Sequence, residues 1–174
     1  METALTPMEF SRRAKNLYAD REAVVDGDLR FSYAEFLERC DRWSNALQKL
    51  GVKQGDRVAY IAPNTHSHLE GYYAVPQIGA VLVPINYRLQ SSDFEYILNH
   101  CGAKIVCAHP DYMDAIDEIR GQLNSIESFV ALEGSREGWL EYETTLQAHD
   151  PDFQPVSIDE SDLITINYTS GTTA

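Results

Sequence analysis

"GDRVAYIAPN", residues Gly55–Asn64, decides the fold. A Gly-Asp turn leads into Arg57–Ala62, a short run that stays apolar without alternating, and Pro63-Asn64 closes it. A strand with one wet face alternates polar and apolar residues. A continuous apolar run bounded by turn residues is instead what a strand covered on both faces looks like. Asn64 or Thr65 then offers a side-chain oxygen to cap a helix. The spacing predicts that helix to run to about Gly79, with Pro76 kinking or ending it. Strand, cap and helix together make one βα unit.

The same grammar repeats downstream. "AVLVPIN" from Ala80 is a second apolar strand, and Ser92 with Glu95 forms an S-x-x-E capping box for a helix ending near Cys101-Gly102. "AKIVCAH" is the next strand, "PDYMDAIDEIRGQL" from Pro110 a helix, and "SIESFVALE" a further strand. Residues 134–160 are mixed, with a short helix expected around Trp139–Ala148, before "DLITINYTS" reads as a last strand. Upstream, "AVVDGDLRFSY" reads as a hairpin around Asp26-Gly27-Asp28. Ser32 and Glu35 make another capping box. Phe36, Leu37, Cys40, Trp43, Ala46, Leu47 and Leu50 follow at helical spacing, with Gly51 at the C-terminal cap. The expected fold class is α/β: a mostly parallel buried sheet flanked by helices, with right-handed crossovers and an N-terminal β-hairpin. The expected partition is an N-terminal segment and hairpin (1–31), a βα core (32–133), a connecting region (134–160), and a last strand with its loop (161–174).

Composition narrows the function. The chain has 174 residues and 44% hydrophobic content, enough for one domain with a core, and a formal charge of −13. So acidic a chain, without a basic run, is a poor match to nucleic acid or anionic lipid. Its 3 cysteines, Cys40, Cys101 and Cys107, form no C-x-x-C pair, so they read as reduced, packed thiols in a cytoplasmic protein. The N-terminus lacks the apolar core of a secretory signal, and Gly71–Ile85 is too short and too broken by proline and glycine to span a bilayer.

Several residue clusters invite a functional reading. His66 and His68 form an H-x-H, but at a helix start they diverge, and no third ligand lies near in sequence. They are expected to be ordinary helix-start residues, and no metal site is assigned. Asp111, Asp114, Asp117 and Glu118 lack the D-x-D-x-D-G pattern of a calcium loop and read as a solvated helix face. Asn86, Tyr87 and Arg88 follow a strand's carboxyl end, where α/β folds bind ligands. The plainer expectation is a turn in which Arg88 pairs with an acidic neighbour.

The last residues, "INYTSGTTA" at Ile166–Ala174, run from strand into loop. Gly171 lets backbone approach a ligand, Thr169, Ser170, Thr172 and Thr173 carry hydroxyls, and consecutive N–H groups in such a turn bind anions. Phosphate is the natural ligand of that chemistry. The stretch is not a P-loop of the G-x-x-x-x-G-K-[ST] kind, since it has one glycine and no lysine. Residue chemistry alone leaves a plain surface turn open.

"YTSGTTA" resembles the signature loop of the adenylate-forming (AMP-binding) superfamily, [YF]-T-S-G-[ST]-T-G-x-P-K-G. It matches from Tyr168 to Thr173 and has Ala174 where glycine is commonest. The resemblance extends along the chain through "FSYAEFLERCDRWSNAL", "GVKQGDRVAYIAPN" and "GAVLVPINYRL". Within that superfamily, "AVPQIGAVLVPINYRL" is most similar to fatty or other simple acyl-CoA synthetases. The resemblance implies an N-terminal portion of an ATP-dependent carboxylate–CoA ligase using ATP, Mg2+ and coenzyme A on a carboxylic (fatty) acid. Thr169, Ser170, Gly171, Thr172 and Thr173 would hold the nucleotide phosphates, and Tyr168 would position the loop. The adenine pocket, the Mg2+-binding glutamate, the ribose-binding aspartate and the catalytic lysine of that family would follow this stretch. These residues alone are therefore expected to carry no catalytic group, to be inactive, to bind no cofactor tightly, and to self-associate through uncovered sheet surface. The alternative reading is a self-contained phosphate- or nucleotide-binding module, or a self-associating module without catalysis.

Overall fold

In the computed structural model, which describes residues 5–169, β-α alternation dominates. Helix α1 (Pro7–Tyr18) precedes a hairpin of β1 (Glu22–Asp26) and β2 (Leu29–Ser32). Then come α2 (Tyr33–Lys49), β3 (Arg57–Ile61), α3 (His66–Ala74), β4 (Val81–Ile85), α4 (Ser91–Cys101), β5 (Ala103–Ala108) and α5 (Pro110–Ile119). The last elements are β6 (Ser128–Ala131), β7 (Leu140–Glu141) and α6 (Tyr142–Gln147). Strands β3 to β7 form one sheet in the order β4-β3-β5-β6-β7, every pair parallel.

Local chemistry explains the boundaries. The Ser32 hydroxyl accepts from the Glu35 amide at 3.3 Å while the Glu35 carboxylate accepts from the Ser32 amide at 2.8 Å, the reciprocal pair that starts α2. The Thr65 hydroxyl caps α3. That helix ends at Ala74, ahead of Pro76, which opens a single 3₁₀ turn (Pro76–Ile78). Gly102, at φ 61°, ends α4 in the left-handed region.

Along β3 the side chains divide strictly by face. Val58 and Tyr60 join Trp43, Leu47, Ile78, Leu82, Ile105 and Tyr142 under α2, α3 and α6. Ala59 and Ile61 join Phe94, Leu98, Val106, Met113 and Ile116 under α4 and α5. Both faces of the strand are covered, as its unalternating sequence requires. Gly71 lets α3 close on the sheet: a Cβ there would stand 2.6 Å from Cζ of Tyr60.

Several expectations are corrected. Helix α1 was not foreseen; none of its residues is buried, so no apolar stripe betrays it. The N-terminal cap of α4 is Gln90, not Ser92. The Asp93 carboxylate accepts from the Gln90 amide at 3.1 Å, which places the cap two residues earlier than the Ser92/Glu95 pattern. Strand β7 was missed because only Leu140–Glu141 pairs, too short a run for a period. The last strand expected at "DLITINYTS" reduces, in the described residues, to one parallel bridge of Thr165 to Leu82. Leu163 is 61% exposed, so that segment lacks the double-sided burial that holds the other strands.

Candidate functional site

The segment leading to the Thr/Ser/Gly loop lies along the outer edge of β4. A turn closed by the Asp159 amide on the Asp162 carboxylate at 2.7 Å delivers the chain to that edge. There the Leu82 amide donates to the Ile164 carbonyl at 3.0 Å, and the Ile166 amide donates to the Leu82 carbonyl at 2.9 Å. Because the bridge is parallel, the chain leaves it heading as β4 does, toward the carboxyl ends of the strands. Ile166 and Tyr168 then pack their side chains on the α4 face of the core. The Tyr168 hydroxyl shares a 2.6 Å hydrogen bond with Nδ1 of His100, and burial pushes the phenol's pKa up. Tyr96 stacks on the His100 ring with centroids 5.5 Å apart. Thr169 is exposed. Ser170, Gly171, Thr172 and Thr173 lie outside the described residues.

Other groups stand at the carboxyl ends of the strands. The Asn86 side chain accepts from the Arg88 amide at 3.1 Å, which makes Asn86–Arg88 a turn. Arg88 sits 5.6 Å over the Tyr87 ring, and among the described residues it forms no ion pair, contrary to the acidic partner expected for it. His109, just past β5, faces Asp111 at 3.4 Å and Glu133 at 3.6 Å.

His66 and His68 are more than plain helix-start residues. Asp26, at the end of β1, accepts from the His66 amide at 2.8 Å and meets its Nδ1 at 2.7 Å, which ties the hairpin to α3. The Nε2 of His66 faces Glu143 at 3.4 Å. The hydrogen bonds that the imidazole donates to Glu143 and to Asp26 raise the His66 pKa against the effect of burial. His68 lies on another face, stacked between Tyr60 and Tyr72 at 5.3 Å from each, and burial lowers its pKa.

Sequence reasoning missed a charged knot behind His66. Glu70 is wholly buried within α3, 2.5 Å from Nε of Arg39 and 2.6 Å from the Tyr142 hydroxyl. Arg39 also binds Glu143. Burial drives the Glu70 carboxyl up, opposed by Arg39. Burial also works against the Glu143 carboxylate, but hydrogen bonds from His66 and Arg39 prevail and hold it down to about 2. The only trace in the sequence is a charge placed inside the apolar stretch His68–Ile78.

The acidic cluster of α5 is also more than a solvated face. Arg136 reaches Asp114 at 2.6 Å and Asp117 at 2.9 Å, and Trp139 donates to Asp117 at 2.9 Å, so the cluster pins the 132–139 segment. The three thiols are unpaired; Cys40 and Cys107 are buried and Cys101 half-buried. Among the described residues no group of three His, Cys, Asp or Glu is placed to hold a metal ion.

A family model described as "AMP-binding enzyme" matches residues 10–174. The chain belongs to the AMP-binding enzyme family. Its relatives in that family include a long-chain-fatty-acid–CoA ligase of Thermus thermophilus, 38% identical over 99% of this chain and 32% of that protein. A peroxisomal benzoate–CoA ligase of Arabidopsis thaliana is 35% identical over 98% of this chain and 32% of its own length. Among solved structures, the anthranilate CoA ligase AuaEII in complex with anthranoyl-AMP superimposes with a TM-score of 0.94 at 25% identity, covering all of this chain and 34% of that one. A Mycobacterium tuberculosis fatty acyl CoA synthetase superimposes with a TM-score of 0.84 at 28% identity, over 93% of this chain and 32% of that one. The chain thus spans about a third of the length of the relatives it matches. Among the described residues no helix is long and apolar enough to cross a membrane.

Proposed function

We propose that this AMP-binding chain is the N-terminal portion of an ATP-dependent acyl-CoA synthetase acting in the cytoplasm on a carboxylic acid of the fatty or simple acyl class. The observation that carries the reading is the bridged edge segment Ile164–Thr169, which heads toward the carboxyl ends of a parallel sheet with the hydroxyl-rich stretch next in line. The residues from Thr169 to Thr173 hold the phosphates of ATP: hydroxyls and backbone N–H groups donate to phosphate oxygens, and Gly171 permits close approach. The substrate carboxylate attacks the α-phosphorus, pyrophosphate leaves, and the acyl group passes from acyl-AMP to the thiol of coenzyme A with release of AMP. Charge build-up on the phosphates is the chief obstacle when an anion attacks a polyanion, and donors fixed before the reaction lower it.

The donor set fits phosphate rather than metal. Mg2+, when bound, would neutralise charge on the phosphates that Thr169–Thr173 hold. The acyl adenylate in the anthranilate CoA ligase structure supports the same chemistry.

Residues 1–174 by themselves are inactive in this reading, because they match only about a third of each relative. They self-associate through apolar surface that includes a recess of about 410 Å³ lined by Pro7, Leu69, Tyr72, Tyr73, Pro76 and Ile164. The test is carboxylate-dependent ATP–pyrophosphate exchange by the longest native polypeptide carrying this sequence, with acids from acetate to palmitate. Exchange with one chain-length class is expected, and none with residues 1–174 alone. Absence of exchange with every acid overturns the reading. A clean monomer across micromolar concentrations by light scattering overturns the self-association.

A further inference from the structure

We infer that His100 is a positioning residue for the loop that follows Tyr168. It grips the tyrosine hydroxyl and thereby fixes the residue next to Thr169, from which that loop continues. The inference rests on the reading of that loop as phosphate-binding and adds the residue outside it on which its placement depends.

The argument is a contrast between a rigid platform and a thin attachment. The platform is the last turn of α4. The Arg57 guanidinium, rooted in β3, donates to the Cys101 carbonyl at 2.7 Å and the Gly102 carbonyl at 2.6 Å, so an interior strand of the sheet clamps the helix end that carries His100. Asn99 adds a second clamp, donating to the Gln122 carbonyl at 3.0 Å and accepting from the Asn124 amide at 3.0 Å. Tyr96 stacks on the imidazole with rings 20° from parallel, which fixes its plane. The attachment is the edge segment. Its backbone is tied to β4 around Leu82, by the bonds to Ile164 and Ile166. Two residues beyond the last of these, Tyr168 packs its ring against the α4 face and meets His100 edge-on, with centroids 5.8 Å apart and the 2.6 Å hydrogen bond at its tip. The Asn167 side chain, between them, bonds only locally, to Thr165 at 3.4 Å. The His100–Tyr168 bond is therefore a side-chain tether from the fixed part of the fold to the residue next to the loop.

Packing alone would hold the tyrosine ring near α4 but would let it slide and turn. A hydrogen bond at the far end of the ring fixes its direction, and with it the backbone one residue before Thr169. One bond of this kind, here in an exposed setting, corresponds to roughly a three- to tenfold effect on an equilibrium. The loop's ligand should feel that change and the carboxylate should not.

The test uses ATP–pyrophosphate exchange by the longest native polypeptide carrying this sequence, with four variants. Tyr168→Phe removes the hydroxyl. His100→Phe keeps a ring for Tyr96 to stack on and removes the partner. His100→Asn puts an amide close to the position of Nδ1. The fourth variant combines His100→Phe with Tyr168→Phe. The two single phenylalanine variants are expected to raise KM for ATP about three- to tenfold while KM for the carboxylate stays within about twofold. The double variant should be no worse than either single, and His100→Asn should stay within about twofold of the parent. Melting temperatures should agree to within about 2 °C, since the bond lies at the surface. Parallel rises in both KM values, additive single effects, or no change in KM for ATP overturns the inference while the parent's exchange activity leaves the phosphate-loop reading standing. A parent that shows no exchange overturns that reading and the inference with it.

Discussion

The two faces of the sheet are built on different rules. The face under α4 and α5 is dry: Phe94, Ile97, Leu98, Met113, Ile116 and Ile119 meet Ala59, Ile61, Val83 and Val106, and no buried polar side chain lies on either helix. On the other face α2 and α3 bring Ser44, His66, Ser67, His68 and Glu70 inside, and Arg39, Glu143 and Asp26 close round them. A dry face specifies volume and tolerates any helix with the right stripe. A face with an internal charge admits only neighbours that answer it, because an unanswered charge in the interior costs several kcal/mol. That is how the hairpin, α3 and α6, each short, are held in a single arrangement about α2.

The largest expected effect breaks the wet face at its centre. Glu70→Ala leaves Arg39 half-answered and the Tyr142 hydroxyl bare, and should cost about 3–5 kcal/mol of stability, measured by urea denaturation. Leu98→Ala on the dry face should cost about 3 kcal/mol from lost burial and the cavity left behind. Its loss should be the same at pH 5.5 and pH 8.5. A pH-dependent loss at Leu98, or a small one at Glu70, would erase the contrast between the faces.

A gentler probe is His66→Asn, expected to cost about 1–2 kcal/mol at pH 5.5. Its value lies in the pH dependence. The His66 pKa is raised above 6.5 in the fold, so its contribution is complete below that value and is lost as the pH climbs through the raised one. Asp26 is lowered, and Glu143 is held at about 2 against an ordinary 4.5, so their contributions are complete above the ordinary carboxylate range and are lost as the pH falls through the lowered values. The joint contribution of His66, Asp26 and Glu143 should therefore be greatest between about pH 4.5 and 6.5, and His66→Asn should flatten its alkaline side. The smallest effect is expected from Arg136→Ala, a shift in the urea midpoint too small to resolve, because Asp114 is 89% exposed and water answers the freed carboxylates.

The same contrast governs what could be read from the sequence. Dry packing leaves a period: the apolar runs at Arg57, Val81, Ala103 and Ser128 and the stripe from Phe36 to Leu47 announced strands and helix correctly. Caps leave short local signatures, and Ser32/Glu35 was legible while Gln90/Asp93 was not, since glutamine is no common cap and Ser92/Glu95 offered a better-looking decoy. Polar contacts between distant elements leave no period. Nothing in the spacing connects Asp26 to His66, Arg39 to Glu70 or His100 to Tyr168, because each pair is joined only when strands and helices have already stacked. The stretch Thr169–Thr173 is of a third kind: its hydroxyls and glycine are written contiguously and resemble a family motif, and its phosphate role is the reading proposed above.

The parallel bridge at the sheet edge carries a consequence for the order in which the chain folds. Every pairing in the main sheet joins strands separated by at most two βα units, whereas Leu82 and Thr165 lie about eighty residues apart. Closing so long a loop for two backbone hydrogen bonds gains little until the rest of the sheet offers a ready edge. The edge segment Ile164–Thr169 should thus be the last part to assemble and the first to fray, with the amide of Ile166 exchanging its hydrogen far sooner than that of Tyr60 in the interior strand β3.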